Sequence, residues 1–155
     1  LPLKPDKVTG AFTSQFGSTT GTGGLLQNQQ ENALPNMSGL DKLVSSGVRY
    51  TWLFPNMTFA ANADALWMYE SYPMGPSQCQ IFQTICFPPE TFLVKNFRLK
   101  AGKYLERMDL ALKEDILALE NQHSGINCKD ASLNIFHPLL EANLMNFSKW
   151  YKKII

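Results

Sequence analysis

An alternating run in the middle of the chain constrains the fold more than any other feature of the sequence. Apolar side chains occupy every second position there, namely Val48, Tyr50, Trp52 and Phe54. This period of two is typical of a β-strand with one apolar face. Pro55 has no N–H to donate to a neighbouring strand, so it predicts a bulge or an edge position. We expect the same strand to resume after it with Met57 and Phe59.

Two further strands follow at short spacing. Residues 65–72 and 78–87 have strand-like composition. Turn-forming residues at 61–64 separate the first strand from the second, and those at 73–77 separate the second from the third. Parallel neighbours would need crossover connections of a dozen residues or more, so strands joined by such short turns are antiparallel. The pattern therefore predicts a meander whose apolar face needs a cover.

The C-terminal part of the chain provides that cover. Apolar residues recur there at helical spacings of three and four in two groups: Leu105, Met108, Leu112, Ile116 and Leu119, then Leu140, Leu144, Phe147 and Tyr151. Gly125 predicts a stop for the first helix, and Pro138 suits the first turn of the second. Strands followed by helices predict an α+β fold, with helices on one face of an antiparallel sheet.

The chain divides into a loop-rich region at 1–47, antiparallel strands at 48–88 and helices at 90–153. Within the first region we expect one strand over 8–16 and a short helix near 40–44. The glycine-rich segment 17–24 superficially resembles a phosphate-binding loop, but it lacks the Gly-Lys-Ser/Thr ending and does not follow the GxGxxG pattern. It is predicted to be a flexible surface loop.

Composition limits the classes of function. The 155 residues are 45% hydrophobic and 17% charged, which indicates a globular domain, and the net charge is only +1. That balance argues against a nucleic-acid binder that works by bulk charge, and no apolar run approaches the length of a membrane helix. Three scattered cysteines without a CxxC pair favour a reducing compartment, so a cytoplasmic location is expected.

Few side chains are candidates for chemistry. The chain has two histidines, and His123 falls on the apolar stripe of the long helix, where a partly buried and hydrogen-bonded side chain is the simplest interpretation. Zinc-ligand spacings and a GxSxG elbow are absent from the sequence. Asp115 lies on the flank of the same stripe, but the helical pattern alone does not distinguish it from Asp109.

Four short motifs, in order, distinguish Asp115. They are Tyr50-Thr-Trp-Leu-Phe-Pro-Asn56, Pro73-Met-Gly-Pro76, the helix from Glu114-Asp115 through Glu120 to Gly125-Ile126, and the closing Phe136-His-Pro-Leu-Leu140 with Phe147-Ser-Lys-Trp-Tyr151. Together they resemble the C-terminal half of the catalytic domain in the alpha (large) subunit of Rieske non-heme iron ring-hydroxylating oxygenases. In this chain His123 replaces the family's usual Gln, and Ile126 replaces Leu.

The resemblance implies a partial helix-grip (START-like) fold and a metal site. In that family the helix aspartate, here Asp115, is the carboxylate partner of two histidines on Fe(II), a facial set that leaves positions open for dioxygen. A cavity between the sheet and the long helix would hold a small apolar or aromatic substrate for hydroxylation or demethylation. The wall residues implied are Val48, Tyr50, Ala60, Leu105 and Ala111.

The sequence also departs from the family. The two iron histidines precede the FPN strand in that family, whereas no histidine precedes His123 here. The chain is therefore either a C-terminal fragment of a full subunit or a relative that has lost the metal, and we expect the 155 residues to be inactive by themselves. In the fragment case a 2Fe–2S Rieske cluster is expected in a preceding domain. The full-length subunit would receive electrons from a reductase or ferredoxin and would be a homo-oligomer, a trimer in many family members.

Two other interpretations remain open from the residues alone. A sheet covered by a long helix also fits a non-catalytic helix-grip carrier, whose cavity binds a hydrophobic molecule without a metal, because a fold does not decide a function. A structural module with a solid core is the third. Upstream histidines and cluster ligands would favour the oxygenase, and their absence would favour the carrier.

Overall fold

The computed structural model describes residues 10–129, 136–138 and 140–155, and these residues form an α+β fold. An antiparallel sheet comes first along the chain, and two α-helices follow it. Hydrogen bonds join Tyr69 to the first helix and Gln15 to the second, and both side chains lie on the same face of the sheet. The predicted helix-grip class is therefore confirmed.

The sheet has five strands in sequence order, each antiparallel to its neighbours. They are β1 (Phe12–Ser18), β2 (Gly47–Leu53), β3 (Met57–Ala61), β4 (Leu66–Gly75) and β5 (Gln78–Cys86). The meander predicted for the middle of the chain is confirmed. The strand expected over 8–16 corresponds to β1, with residues 8 and 9 outside the described part of the chain.

The interrupted strand predicted around Pro55 is wrong in one respect. Residues 48–59 are not one strand with a bulge but two strands, β2 and β3, which pair with each other in a hairpin. Leu53 stands opposite Met57, so the chain reverses direction through the three residues between them. The apolar positions shift from even numbers up to Phe54 to odd numbers from Met57, and because a bulge produces the same shift, the pattern alone does not reveal the reversal.

The helices carry the second layer. Helix α1 (Phe97–Ile126) ends one residue beyond the predicted stop at Gly125, and α2 (Ala142–Tyr151) begins four residues after Pro138, later than expected. Three short 3₁₀ segments complete the described structure: Gln27–Asn32, Val44–Ser46 and Pro89–Leu93. The short helix expected near 40–44 is thus a 3₁₀ turn that begins at its last residue. No helix among the described residues is long and apolar enough to cross a membrane.

The best-packed part of the protein surrounds Tyr104 of α1. Its side chain is 0% exposed and packs with Leu25, Leu34 and Ala65, flanked by Ile85, Phe87, Val94 and Phe97. The phenol accepts the backbone N–H of Leu34 at 2.9 Å and donates to the buried carboxylate of Asp64. Every polar group at this tyrosine is therefore paired, which makes burial favourable.

The glycine-rich segment is not the free surface loop that its composition predicted. Gly24 is buried, and a Cβ atom at that position would lie 2.7 Å from the Tyr104 ring. Thr22 donates to Asp64 Oδ1 at 2.7 Å, so the segment is also tied to the turn between β3 and β4. Its glycines permit this close approach to the core.

A second cluster, made of aromatic rings, holds α2 against the β2–β3 hairpin. Phe147 stacks on Trp52 at 4.6 Å between ring centres and meets Phe54 edge-on at 5.3 Å. Trp150 packs on Phe54 at 5.3 Å and on Phe147 at 5.8 Å between ring centres. Aromatic contacts of this kind fix the orientation of the helix as well as burying area. The two clusters thus anchor α1 and α2 separately, and the space between them stays open.

Candidate functional site

A cavity of about 410 Å³ lies between the helix-covered face of the sheet and the two helices. That size is within the range of small-molecule sites, which are concave and mostly apolar. The lining residues come from β1–β4, from the glycine-rich segment and from both helices: Thr13, Gln15, Gly23, Val48, Tyr50, Thr51, Trp52, Thr58, Phe59, Ala60, Asn62, Trp67, Tyr69, Arg107, Ala111, Asp115 and Asn143.

Four of the five wall residues implied by the resemblance line this cavity. Tyr50 and Ala60 stand opposite each other in the sheet, and Val48 and Ala111 complete the group. Leu105 lies elsewhere, and its side chain is 43% exposed. Helix geometry explains why Leu105 does not line the cavity. The lining positions of α1 repeat every four residues from Arg107. Leu105 precedes Arg107 by two residues, which is a rotation of about 200° around the helix axis, so it faces away from the cavity.

Asp115 lies at the open end of the cavity. It lines the main cavity and also a second groove beside Trp52, Thr58 and Tyr69, and its own side chain is exposed. Burial first, and then the Asp115 charge, raises the pKa of the Tyr69 phenol to about 12, while Arg107 opposes the shift. The charge of the Asp115 carboxylate therefore acts on the Tyr69 side chain in the cavity, even though Asp115 itself is exposed to water.

The opposite end of the cavity is polar and better buried. The Trp67 side chain is 7% exposed, and the Arg107 guanidinium carbon lies 5.8 Å from the centre of its ring. Trp67 Nε1 and Asn62 Oδ1 are buried and have no hydrogen-bond partner among the described residues. Buried polar atoms are nearly always paired in folded proteins, so two unpaired atoms on residues that line one cavity are consistent with a bound molecule or water beside them.

A third group of polar residues closes the side of the cavity next to α2. Asn143 donates from its amide to Gln15 Oε1 at 2.9 Å and accepts a hydrogen bond from the Thr13 hydroxyl. These bonds connect the helix to the edge strand β1. The sequence analysis did not identify them, because isolated Thr, Gln and Asn residues in two distant segments carry no recognisable spacing.

Comparison with known proteins identifies the family. Residues 9–155 match the family described as ring hydroxylating alpha subunit (catalytic domain). The chain belongs to this family. A search of curated proteins finds no significant match. Membership in the ring-hydroxylating alpha subunits implies oxygenase chemistry in the full-length subunit, together with aromatic substrates and electron-transfer partners in general terms.

Catalysis in this family depends on iron, so the donor groups near the cavity need to be compared with an iron site. The described residues include no group of three His, Cys, Asp or Glu side chains that could hold a metal ion. Among the residues that the structure describes, Asp115 is the one carboxylate that lines the cavity, and neither histidine lines it. One carboxylate does not make the three-ligand facial set, so the described residues alone do not fit the metal.

His123 also differs from expectation. It was predicted to be partly buried, but it is exposed near the end of α1, where its Nε2 atom lies 3.2 Å from Asn127 Nδ2. The stripe on which it lies is not covered there by any described element, since the last turns of α1 are exposed on all sides. His123 stands two helical turns beyond Asp115, outside the cavity.

Proposed function

We propose that this chain is the C-terminal part of the catalytic domain of a ring-hydroxylating oxygenase alpha subunit, and that its cavity binds a small apolar or aromatic substrate for hydroxylation or demethylation. The observation that supports this most strongly is a cavity of about 410 Å³ beneath α1, the helix that carries the family-like Glu114-Asp115 motif. Aliphatic and aromatic walls from Val48, Trp52 and Ala60 suit an apolar guest.

We infer that Asp115 supplies the carboxylate ligand to Fe(II) in the complete subunit, where the metal would activate dioxygen. The remaining ligands, two histidines in this family, would then come from residues outside this chain. The 2Fe–2S cluster, the reductase or ferredoxin donor and trimer assembly belong to the same proposal for the complete subunit. The chain by itself is accordingly proposed to be inactive, because one exposed carboxylate is a weak metal site.

A metal-free carrier of hydrophobic molecules is the second candidate. The observation that favours it is the absence of a three-group metal site among the described residues, combined with a cavity that is already open. A carrier needs the cavity and its apolar walls but not the Asp115 carboxylate. The two candidates therefore make opposite predictions for a substitution at that position.

The deciding experiment compares Asp115→Ala with Glu114→Gln in the full-length subunit. Glu114 is the adjacent acidic residue on the same helix and does not line the main cavity. We expect Asp115→Ala to lose bound iron and substrate-dependent oxygen consumption, and Glu114→Gln to keep both. Iron and turnover retained in Asp115→Ala would contradict the ligand assignment. A wild-type subunit that binds aromatic compounds but no iron would establish the carrier instead.

A further inference from the structure

The buried end of the cavity carries one unpaired hydrogen-bond donor with a guanidinium group beside it. Trp67 Nε1–H is buried and unpartnered among the described residues, and its side chain is more than nine-tenths buried. Arg107 stacks on the same indole and lines the same cavity. An indole N–H and a guanidinium can only donate hydrogen bonds, so an acceptor group on a molecule that fills this space would pair with both.

The charge at this end is positive and is not neutralised by a neighbouring acid. Among the described residues the Arg107 guanidinium forms no ion pair, although Glu114 borders an adjoining groove that Arg107 also lines. Asp115 lies eight residues further along α1, which separates the two positions by about 12 Å along the helix axis. The cavity is therefore polarised, with a cation at its buried end and a carboxylate at its open end.

The difference in charge between the two ends of the cavity determines which class of ligand fits and in which orientation. An acidic group at the open end would face the Asp115 charge, whereas at the buried end it meets two donors and a guanidinium. Asn62 lines the same cavity, but its unpaired Oδ1 atom is an acceptor and does not contribute to binding an anion. Between the ends, Tyr50, Ala60 and Ala111 present mainly apolar surface.

We propose that Arg107 and Trp67 form a carboxylate-recognition subsite, so that the preferred ligands are aromatic monocarboxylates bound with the acid at the buried end and the ring extending toward Asp115. This inference rests on the proposed substrate-binding role of the cavity and specifies the substrate class. The Arg107 guanidinium and Trp67 Nε1–H donate to the carboxylate oxygens. The ring carbons furthest from the acid are the ones that approach Asp115.

The test measures binding of two matched probes to the 155-residue chain by calorimetry, naphthalene-2-carboxylate and its neutral carboxamide. Hydrogen bonds to a charged group predict that the acid binds about ten- to hundredfold more tightly than the amide. Arg107→Met should remove most of that preference, because it weakens acid binding far more than amide binding. Trp67→Phe, which keeps the ring and loses the N–H, should reduce acid binding by a smaller factor.

Arg98→Met is the matched control, because Arg98 is exposed on the same helix and lies outside the cavity. It should leave both affinities unchanged, with circular dichroism checking that each variant is folded. Equal affinities for acid and amide, or an equal loss in Arg98→Met and Arg107→Met, would overturn the carboxylate subsite while leaving a cavity that binds aromatics. Failure of the wild-type chain to bind either probe would instead count against the proposed function itself.

Discussion

The two halves of helix α1 differ sharply although they belong to one continuous element. In the first half Tyr104 and Met108 are each 0% exposed and pack against the sheet and the glycine-rich segment. From Lys113 onward every described position of the helix is exposed, and Leu117 is 63% exposed despite being apolar. Helical periodicity therefore shows which face of a helix is apolar, but it does not show whether another element covers that face.

This difference matters for the site because the cavity spans both halves. Its buried end, at Arg107, is supported by paired polar groups and by the core around Tyr104. Its open end, at Asp115, has a carboxylate but no neighbouring ligands among the described residues. A binding pocket needs only the supported end, whereas a metal centre needs groups at the open end that these residues do not supply.

The largest expected effect comes from emptying the core of the packed half. Tyr104→Ala should destabilise the chain by about 3–5 kcal/mol, because it leaves a cavity and also removes one of the two side-chain donors to Asp64. Leu117→Ala, at an exposed position of the same helix, should change stability by less than about 0.5 kcal/mol. Urea denaturation of both variants makes the comparison, and similar losses would show that the second half of α1 is covered after all.

Adding one methyl group next to the packed half of α1, or within its exposed half, should give smaller changes in stability, and these have opposite signs. Gly24→Ala should destabilise by about 1–3 kcal/mol, because the new Cβ would lie 2.7 Å from the Tyr104 ring. Gly125→Ala meets nothing within 4 Å and lies in the helix, so it should stabilise by about 0.5–1 kcal/mol. Thermal melting of the two variants is the measurement, and a neutral Gly24→Ala would mean that the glycine-rich segment is not packed on Tyr104.

Alkaline pH should affect the packed half preferentially. Burial and then the hydrogen bond to Asp64 raise the pKa of the Tyr104 phenol above its usual 10.0. The folded state therefore keeps this proton when the unfolded chain releases it, so the stabilisation is complete below pH 10.0 and is lost as pH rises above it.

Urea midpoints measured below and above pH 10.0 check this linkage. Tyr104→Phe should lose less stability over the interval than the wild type does. Tyr151→Phe is the control, since the Tyr151 side chain in α2 is 48% exposed and the substitution keeps its ring. An alkaline loss in Tyr104→Phe as large as that of the wild type would place the effect elsewhere in the protein.

Sequence periodicity predicted the order of elements because each signal was local. The period of two in β2 and the spacing of three and four in α1 follow from backbone geometry, so both elements were found. The reversal at Pro55 was missed, since the shift of the apolar residues from even to odd positions there is also what a bulge would produce. The packing of Gly24 was missed because glycine composition indicates conformational freedom and says nothing about which neighbour comes close.

The site was predicted only in part, because only part of it gives a local signal in the sequence. Resemblance to a family placed four wall residues on the cavity, but it did not identify Arg107 or the orphaned N–H of Trp67. Their role follows from the hydrogen-bond partners that they lack among the described residues of the folded protein. A sequence does not show which groups will be unpaired. Leu105 shows the converse, since a motif position transferred from the family lies on α1 but faces away from the cavity.

Chemical-shift mapping by nuclear magnetic resonance tests most directly whether the space between the sheet and α1 is a binding site. The isotope-labelled chain is titrated with naphthalene-2-carboxylate while backbone amide and methyl signals are followed. We expect the signals of Val48, Ala60 and Ala111 to shift together, and those of Met68, on the opposite face of the sheet, to stay in place. Shifts concentrated around Met68, or no shifts at the cavity residues, would contradict the assignment of this cavity as the substrate site.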